Sequence, residues 1–252
     1  MNKNVIIVKY QDNFADNMSS YALAKIIEKQ TGEKICYENK PTLRNNFEKN
    51  MTNFNMSYNF ISSTRINEIS KKAFELNKMN SKIPTKNKLI KAKKFEYNYI
   101  KYLDNEIIKD FNFKNKDFIV NFDILEQITN KNSIGLYINA QDIENNNIDY
   151  DYIIRSVKRL NKYIKHPKLF IFSSANIKIQ GNLMMEYEII STEDWREEFY
   201  FAKKCKHNIL LNSQHSYSLG LWAALTNQKE YYYTAYDKKL KCKNLPKNWI
   251  GI

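Results

Sequence analysis

Short apolar runs alternate with amphipathic stretches at the start of the chain, a pattern typical of the strands and helices of an α/β protein. Residues 4–8 form an apolar run that predicts a buried strand. Residues 21–30 carry apolar side chains at helical spacing after the capping pair Ser19 and Ser20, and residues 34–37 predict the next strand. A strand, a helix and a strand in this order form a βαβ unit, the building block of a parallel sheet.

The second half of the chain repeats this alternation. Strands are predicted at residues 133–138, 169–172, 208–211 and, at the sheet edge, 231–233; helices are predicted at residues 118–129, 149–164, 195–206 and 216–226. Regular alternation of this kind indicates a second doubly wound α/β domain. We place the change of domain near residues 114–117, which gives an N-terminal domain of residues 1–115 and a C-terminal domain of residues 116–252.

Between these two regions the pattern is less regular. Residues 41–83 are polar with single aromatic residues and one predicted helix at 66–77, and residues 78–101 carry a lysine cluster interrupted by Pro84. A solvated helical face is one interpretation of the cluster, and contact with an anionic membrane or a lipid-linked acceptor is the other. We therefore expect the N-terminal domain to contain a helical, lysine-rich insertion.

The composition limits the cellular setting. A chain of 252 residues can bury a substantial core. No apolar run is long enough to span a membrane, and residues 1–4 lead directly into a strand, so we expect a cytoplasmic protein. Cys36, Cys205 and Cys242 are odd in number and widely spaced, which predicts buried thiols rather than disulfides or a zinc site.

The charge favours anionic partners. Forty basic residues against 27 acidic residues give a net charge of +13. Such a charge attracts nucleic acid, anionic membranes and pyrophosphate-bearing substrates alike. The lysines are scattered, and no nucleic-acid-binding module is recognisable, so we expect no specific nucleic-acid partner. A basic protein that binds nucleic acid through its charge is kept as an alternative functional hypothesis.

One polar segment lies between a predicted strand and a predicted helix. Residues 212–216 read Asn-Ser-Gln-His-Ser. In open parallel sheets, ligands bind at the carboxyl ends of strands, where helix N-termini offer N–H groups to phosphate. Asn212, Ser213, His215 and Ser216 are therefore candidate phosphate ligands, while helix capping by Asn212 and Ser213 is the structural alternative.

A second polar pattern, Asp149-Tyr150-Asp151, has the spacing of a metal-binding D-x-D sequence. It directly precedes an amphipathic helix, so we interpret it as a helix cap. We expect no metal site in this protein.

Residues 205–216, which read C-K-H-N-I-L-L-N-S-Q-H-S, resemble the C-K-H-N-I-I-A-N-S-S-F-S segment of the bacterial α-1,2-fucosyltransferases, which form glycosyltransferase family 11. The end of the chain, from Pro246, is similar to the family's P-x-x-W-I-x-I tail. Weaker matches occur in family order at residues 5–37, 133–143 and 169–173, so the resemblance extends over nearly the whole chain.

The resemblance implies a GT-B-like fold, in which two Rossmann-like domains with parallel sheets covered by helices face each other across a cleft. It also implies an acceptor-side N-terminal domain and a nucleotide-sugar-binding C-terminal domain. The implied reaction transfers fucose from GDP-fucose to a galactose-type hydroxyl of a surface glycan, with inversion and without a metal or other cofactor. The acceptor could be carried on a lipid at the inner face of the membrane.

The family motif H-x-R-R-x-D corresponds to residues 137–142, which read Tyr-Ile-Asn-Ala-Gln-Asp. The resemblance places Tyr137 and Asn139 at donor-binding positions and leaves Asp142 as the motif acid, the candidate general base. Glu198 stands where related enzymes have an aspartate that pairs with the guanine edge. An exposed helix acid is the alternative interpretation of Glu198.

Several positions differ from the family pattern. Both motif arginines are absent, residues 12–22 lack the family's loop glycines, and the acid pair of F-S-D-D is replaced at residues 174–175. Arg155, Arg159 and His215 are candidates to replace the missing cation. These differences support a second hypothesis, a catalytically inactive relative that acts as a binding or assembly module in glycan synthesis.

Overall fold

The computed structural model describes residues 5–9, 14–39, 54–56, 59–62, 74–76, 88–90, 97–114, 120–173, 175, 177–179, 181–192, 194–213, 216–227, 233–240 and 245–252. The chain divides into two compact units, Met1–Lys116 and Asp117–Ile252. Within the described ranges, no helix is both long and apolar enough to cross a membrane.

The N-terminal unit contains a parallel five-stranded sheet with strand order β3-β2-β1-β5-β4. Its elements are β1 (Val5–Val8), α1 (Phe14–Thr31), β2 (Lys34–Asn39), β3 (Phe60–Ser62), β4 (Phe74–Leu76), β5 (Lys88–Ile90), a 3₁₀ helix (Tyr97–Tyr102) and α2 (Asn105–Asp110). The predicted βαβ unit is confirmed, because β1 and β2 pair in parallel with α1 between them.

Two local predictions in this unit are wrong. Ser19 and Ser20 lie inside α1, which begins at Phe14, and the Ser19 hydroxyl donates to the Ala15 carbonyl one turn earlier at 2.9 Å. Residues 74–76, predicted as part of a helix, form β4 because they pair with β5. The remainder of that predicted helix, and most of the lysine cluster at 78–101, lie outside the described residues.

The core of the N-terminal unit lies between α1 and the sheet. Ile6 and Ile7 of β1 and Ile27 of α1 are fully buried. The hydroxyl of the buried Tyr21 donates to Asp110 at 2.8 Å and so joins α1 to α2.

The C-terminal unit contains a parallel six-stranded sheet with strand order β11-β10-β9-β6-β7-β8. Its elements are α3 (Phe122–Asn130), β6 (Asn132–Tyr137), α4 (Ala140–Glu144), α5 (Tyr150–Leu160), β7 (Pro167–Phe172), β8 (Tyr187–Ile190), α6 (Trp195–Lys204), β9 (His207–Ile209), α7 (Ser216–Thr226), β10 (Thr234–Tyr236), a 3₁₀ helix (Lys238–Leu240) and β11 (Trp249–Gly251).

This strand order is that of the dinucleotide-binding sheet. The first strand of the unit, β6, lies in the middle, β7 and β8 extend the sheet in one direction, and β9, β10 and β11 extend it in the other. After β8 the chain returns to the other side of β6 to form β9. The carboxyl ends of β6 and β9 therefore flank the switch point at which doubly wound sheets bind their ligands.

Helix α5 covers one face of the sheet with the apolar stripe predicted from its sequence. Ile153, Val157, Leu160 and Ile164 are buried, and they pack in one cluster with Leu136 and other strand residues. The free energy for this packing comes from removing apolar area from water, about 25 cal/mol per Å².

The strand predicted at residues 231–233 is found instead at Thr234–Tyr236, and it is not an edge strand because the C-terminal strand β11 pairs with it. The thiols of Cys36 and Cys205 are buried, as predicted, and burial raises the pKa of Cys205 well above its usual range. Cys242 lies outside the described residues.

Candidate active site at the carboxyl edge of the C-terminal sheet

The loops that follow β6 and β9 meet at the carboxyl edge of the C-terminal sheet. The two strands are neighbours, with Leu136 paired to Ile209. The loop after β6 carries Asn139 and Asp142, and the loop after β9 carries Asn212 and Ser213 before α7 begins at Ser216. The structure therefore brings together residues that lie some 70 positions apart in the sequence, as seen for Asp142 and Ser216 with a separation of 74.

Ser216 is the junction between these loops. Its backbone N–H and its hydroxyl both donate to Oδ2 of Asp142 at 2.6 Å, and its hydroxyl oxygen accepts the backbone N–H of Asn139 at 2.8 Å. Asp142 is completely buried and Ser216 is almost so. These bonds hold the loop after β6 against the first turn of α7.

The carboxylate of Asp142 therefore occupies the N-terminus of α7. A helix N-terminus binds anions through its free N–H groups and its positive dipole end. Here the carboxylate of Asp142 already accepts from the Ser216 N–H and hydroxyl, so the role of Ser216 as a phosphate ligand stays a prediction.

The same bonds bear on Asp142 as the general base, which stays a prediction. A base must come within hydrogen-bonding reach of the acceptor hydroxyl. Asp142 is fully buried and is engaged by the N–H and the hydroxyl of Ser216, which favours a structural role for it.

The two remaining motif positions, Tyr137 and Asn139, are also tied into the local structure. The Asn139 side-chain oxygen accepts the Gln141 N–H at 2.9 Å and caps the short helix α4. Burial, together with the nearby charge of Glu198, raises the pKa of Tyr137 well above its usual range. Tyr137 therefore stays neutral and can donate a hydrogen bond.

Glu198 is buried rather than exposed, which corrects the interpretation as a surface helix acid. It is 2% exposed, although it lies in the first half of α6 among charged residues. The Thr192 backbone N–H, from the segment after β8, donates to its carboxylate, and no residue in the described ranges bonds to Oε1. Burial raises the pKa of Glu198 to about 7.

Ser213 and Asn212 lie after β9 in different environments. Ser213 is buried, and its hydroxyl finds no partner among the residues that the structure describes. Asn212 is exposed and its amide donates to Asp237, after β10, at 3.4 Å. His215, the remaining predicted ligand, lies outside the described residues.

Unpaired buried oxygens are uncommon, because each one loses its bonds to water on folding. Glu198 Oε1 and Ser213 Oγ are two such atoms in the loops and helices around the carboxyl edge of this sheet. They are the described side chains of this region best suited to accept or donate bonds to a ligand.

His207, from the C-K-H-N segment, has a structural role. Its Nδ1 accepts the backbone N–H of Tyr233 at 3.0 Å, and its ring stacks on the Tyr233 ring with centroids 5.7 Å apart. Burial lowers the pKa of His207 to about 4, so the ring is neutral near pH 7.

Tyr152 also braces the site, and sequence reasoning missed it. Its hydroxyl donates to the Leu210 carbonyl, directly after β9, at 3.0 Å. An aromatic residue on an amphipathic helix gives no signal of such a bond, since its partner lies 58 residues away.

Arg155 and Arg159, considered as replacements for the motif cation, are placed differently, and so is Arg196, which was not considered. Arg155 lies 3.8 Å from Asp149, with both side chains half exposed. Arg159 is in the last turn of α5, at the opposite edge of the sheet, over the Tyr163 ring. Arg196, at the start of α6, forks onto Asp194 with Nε at 2.9 Å from both carboxylate oxygens.

The D-x-D pattern serves as a helix cap, as predicted. The Asp149 side chain accepts the Tyr152 N–H at 2.7 Å at the start of α5. In the part of the chain that the structure describes, no group of three or more His, Cys, Asp or Glu side chains could hold a metal ion.

No protein-family model matches the chain, and no curated protein sequence matches it. Among solved structures, it is similar to the NodZ α-1,6-fucosyltransferase soaked with GDP-fucose, with 12% identity, coverage of 89% of this chain and 93% of that chain, and a TM-score of 0.50.

Fucosyltransferase NodZ from Bradyrhizobium gives 12% identity, coverage of 88% and 92%, and a TM-score of 0.49. The ADP-heptose LPS heptosyltransferase II of E. coli gives 12% identity, coverage of 92% and 84%, and a TM-score of 0.38. The fold is thus that of the GT-B glycosyltransferases, with parallel sheets flanked by helices.

Proposed function

We propose that this protein is a glycosyltransferase that takes a sugar from a nucleotide diphosphate donor bound at the carboxyl edge of its C-terminal sheet. The donor is GDP-fucose and the acceptor is a galactose-type hydroxyl of a surface glycan. The acceptor oxygen attacks the anomeric carbon and loses its proton to water, the bond to the diphosphate breaks with inversion, and GDP leaves without the help of a metal or other cofactor. The N-terminal unit serves the acceptor.

The observation that carries this proposal is the state of Glu198. A buried carboxyl group with a free oxygen and a pKa of about 7 has given up hydration without a full set of partners. Groups perturbed in this way are more frequent at binding and catalytic sites than elsewhere. A ligand that donates hydrogen bonds to the carboxylate offsets the free energy that the carboxyl group loses when it is removed from water.

Guanine fits this acceptor better than the other bases. Its Watson–Crick edge offers two adjacent donors, N1–H and the N2 amino group, to the two oxygens of one carboxylate, and such charge-assisted pairs are roughly twice as strong as neutral ones. Uracil offers one N–H between two acceptors, and cytosine offers an amino group beside an acceptor. Glu198 therefore favours a guanine nucleotide.

The hydroxyl of Ser213 is the second group assigned to the donor. It lies four residues after the end of β9, near the switch point where doubly wound sheets bind nucleotides. A small hydroxyl residue there allows close approach of a diphosphate and supplies one donor to it. His215 stays a predicted donor ligand.

A second candidate function, a non-catalytic binding module in glycan synthesis, is favoured by one specific observation. The residue at the place of the family's phosphate-binding arginine, Asn139, caps α4, and the motif acid Asp142 is bound by Ser216. Loss of one electrostatic donor lowers a rate by on the order of 10² to 10³. The cytoplasmic location stays a prediction in both cases.

Thermal unfolding with GDP, GDP-fucose, UDP and CMP tests the proposal. We expect GDP and GDP-fucose to raise the unfolding temperature and UDP and CMP to have much smaller effects. A ligand at 100 times its Kd that binds only the folded state adds about 2.7 kcal/mol to the free energy of unfolding. The shift should grow with ligand concentration.

Turnover then separates the two candidates. Release of GDP from GDP-fucose in the presence of a galactoside supports the transferase. A thermal shift without any turnover supports the binding module, and the absence of a shift with every nucleotide contradicts the transferase.

A further inference from the structure

The amino edge of the C-terminal sheet, opposite the candidate site, carries basic side chains from three loops and from the ends of α5 and α6. The loops precede β6, β7 and β9, which are adjacent in the sheet, so their ends fall within about 10 Å of one another at the usual strand spacing. We call this surface the basic edge; its members are Lys131, Arg159, Lys162, Lys165, Lys204 and Lys206.

The segments that form the basic edge contain no compensating acid, and Glu186 and Glu188, at the start of the neighbouring β8, pair with Lys168. Residues 129–133, 158–167 and 203–208 include no Asp or Glu. None of the six side chains takes part in an ion pair with a described carboxylate. Lys131, Arg159, Lys162, Lys165 and Lys204 are exposed, and Lys206 is partly exposed.

The opposite edge carries charges of both signs. The segments around the carboxyl ends of the strands carry the acids Asp142, Glu144, Asp149, Asp194, Glu197 and Asp237 together with the basic residues Arg155, Lys178, Arg196, Lys238 and Lys239. Helix dipoles favour acidic residues at helix N-termini and basic residues at helix C-termini. The helix dipoles do not account for Lys162, Lys165 and Lys206, because these residues lie beyond the last residues of α5 and α6.

The three loops are held in fixed positions relative to one another. The side-chain amide of Asn132 donates to the Lys165 carbonyl at 2.7 Å, which links the loop before β7 to the start of β6. The backbone N–H of Lys206 donates to the Ser133 hydroxyl at 3.0 Å, which links the loop before β9 to the same strand. The charges are thus presented on a rigid support.

An exposed aromatic residue lies within the basic edge. Tyr163 is 45% exposed, it contacts the ring of Tyr233 with centroids 5.2 Å apart, and the Arg159 guanidinium lies 5.4 Å from its ring centre. Tyrosine rings with one polar end are favoured at the interface between lipid headgroups and water.

From these features we infer that the basic edge docks the protein onto an anionic phospholipid surface. Clusters of four to eight basic side chains bind such surfaces, and each contributes about one factor of five in affinity. Five of the six side chains are lysines, which act as point charges toward a diffuse layer of phosphates. Specific nucleic-acid recognition uses the arginine fork, and the single arginine here lies over Tyr163.

Docking in this orientation turns the carboxyl edge of the C-terminal sheet toward solution. A soluble ligand of the candidate site then reaches it without crossing the lipid headgroups. The inference does not depend on the proposed transferase activity, because the basic edge and the candidate site share no residue.

Flotation of the full chain with vesicles tests the inference. The vesicles are phosphatidylcholine alone or phosphatidylcholine with phosphatidylglycerol, at low and high salt. We expect binding to the anionic vesicles only, with a strong loss at high salt. Replacing Lys131, Lys162, Lys165 and Lys204 by Gln should weaken binding by on the order of 600-fold, a factor of about five for each lysine.

The matched control replaces four exposed lysines elsewhere, Lys109, Lys114, Lys178 and Lys239, by Gln and so removes the same charge. The inference requires the control to bind nearly as well as the parent. It is overturned if both variants lose binding equally, if neutral vesicles bind as well, or if the basic edge binds generic RNA and not the anionic vesicles.

Discussion

Replacing Asp142 with alanine is expected to lower the free energy of unfolding by about 2–4 kcal/mol, because the Ser216 N–H and hydroxyl lose their buried acceptor. The loop after β6 would also separate from the start of α7. Asp142→Asn should lose less, about 1–2 kcal/mol, since one carbonyl oxygen remains but the negative charge at the helix N-terminus is removed. Denaturant unfolding measures both.

Asp151→Ala is the matched control for this prediction. Asp151 is an exposed acid in the first turn of α5, so its removal should change the free energy of unfolding by less than about 1 kcal/mol. If Asp142→Ala kept the stability of the parent and lost only turnover, Asp142 would be a catalytic base and the structural assignment would be wrong.

Replacing Glu198 with glutamine is expected to weaken GDP binding by on the order of 10- to 100-fold, as the guanine donors lose a charged acceptor. In the parent protein the carboxylate must be ionised to accept both donors. Since its pKa is about 7, GDP affinity should fall about tenfold per pH unit below pH 7, and this dependence should be absent from the variant. Calorimetric titration across pH measures both effects.

The ionisation of Glu198 should also change the stability of the unliganded protein, but in the opposite direction, because this stability should fall as the pH rises. The folded-state pKa of Glu198 is raised from 4.5 to about 7, so the folded state binds more protons within this window. Its contribution to stability is full below pH 4.5 and is lost as pH rises through 7. Above pH 7, Glu198→Gln should therefore be more stable than the parent by about 3 kcal/mol.

Glu197→Gln provides the control for Glu198, since it removes a neighbouring acid that accepts the Asn121 N–H at 3.0 Å. It should leave both GDP affinity and its pH dependence nearly unchanged. Equal GDP binding by the parent and Glu198→Gln, at every pH, would remove Glu198 from the nucleotide site.

Hydrophobic spacing was enough to locate most elements of the C-terminal unit. The stripe of Ile153, Val157, Leu160 and Ile164 predicted α5, and the run before Asn212 predicted β9, because burial on one face imposes a period on the sequence. The strands β3, β4, β5, β8 and β11 were missed; they have three or four residues each and form because a neighbouring strand pairs with them. β9 is as short, but it was predicted because it begins a longer apolar run.

The candidate site was predicted in part. The sequence pointed to Asp142, Ser216, Tyr137, Asn139 and Glu198, and the structure brings the first two into direct contact. Their chemical states were not predictable. The sequence left two interpretations of Glu198, a guanine-pairing acid and an exposed helix acid, and the structure buries it with one oxygen unpaired.

The sequence by itself determined the alternation of strands and helices, the buried stripe of α5 and the position of the polar loop before α7. These features depend on spacing within one segment, and spacing is visible in a linear chain. Only the tertiary structure decided that Asp142 fills the N-terminus of α7, that Glu198 is buried and that the lysines of three loops share one sheet edge. Each of these depends on residues far apart in the sequence becoming neighbours, and hydrogen bonding, desolvation and charge act through distance in space.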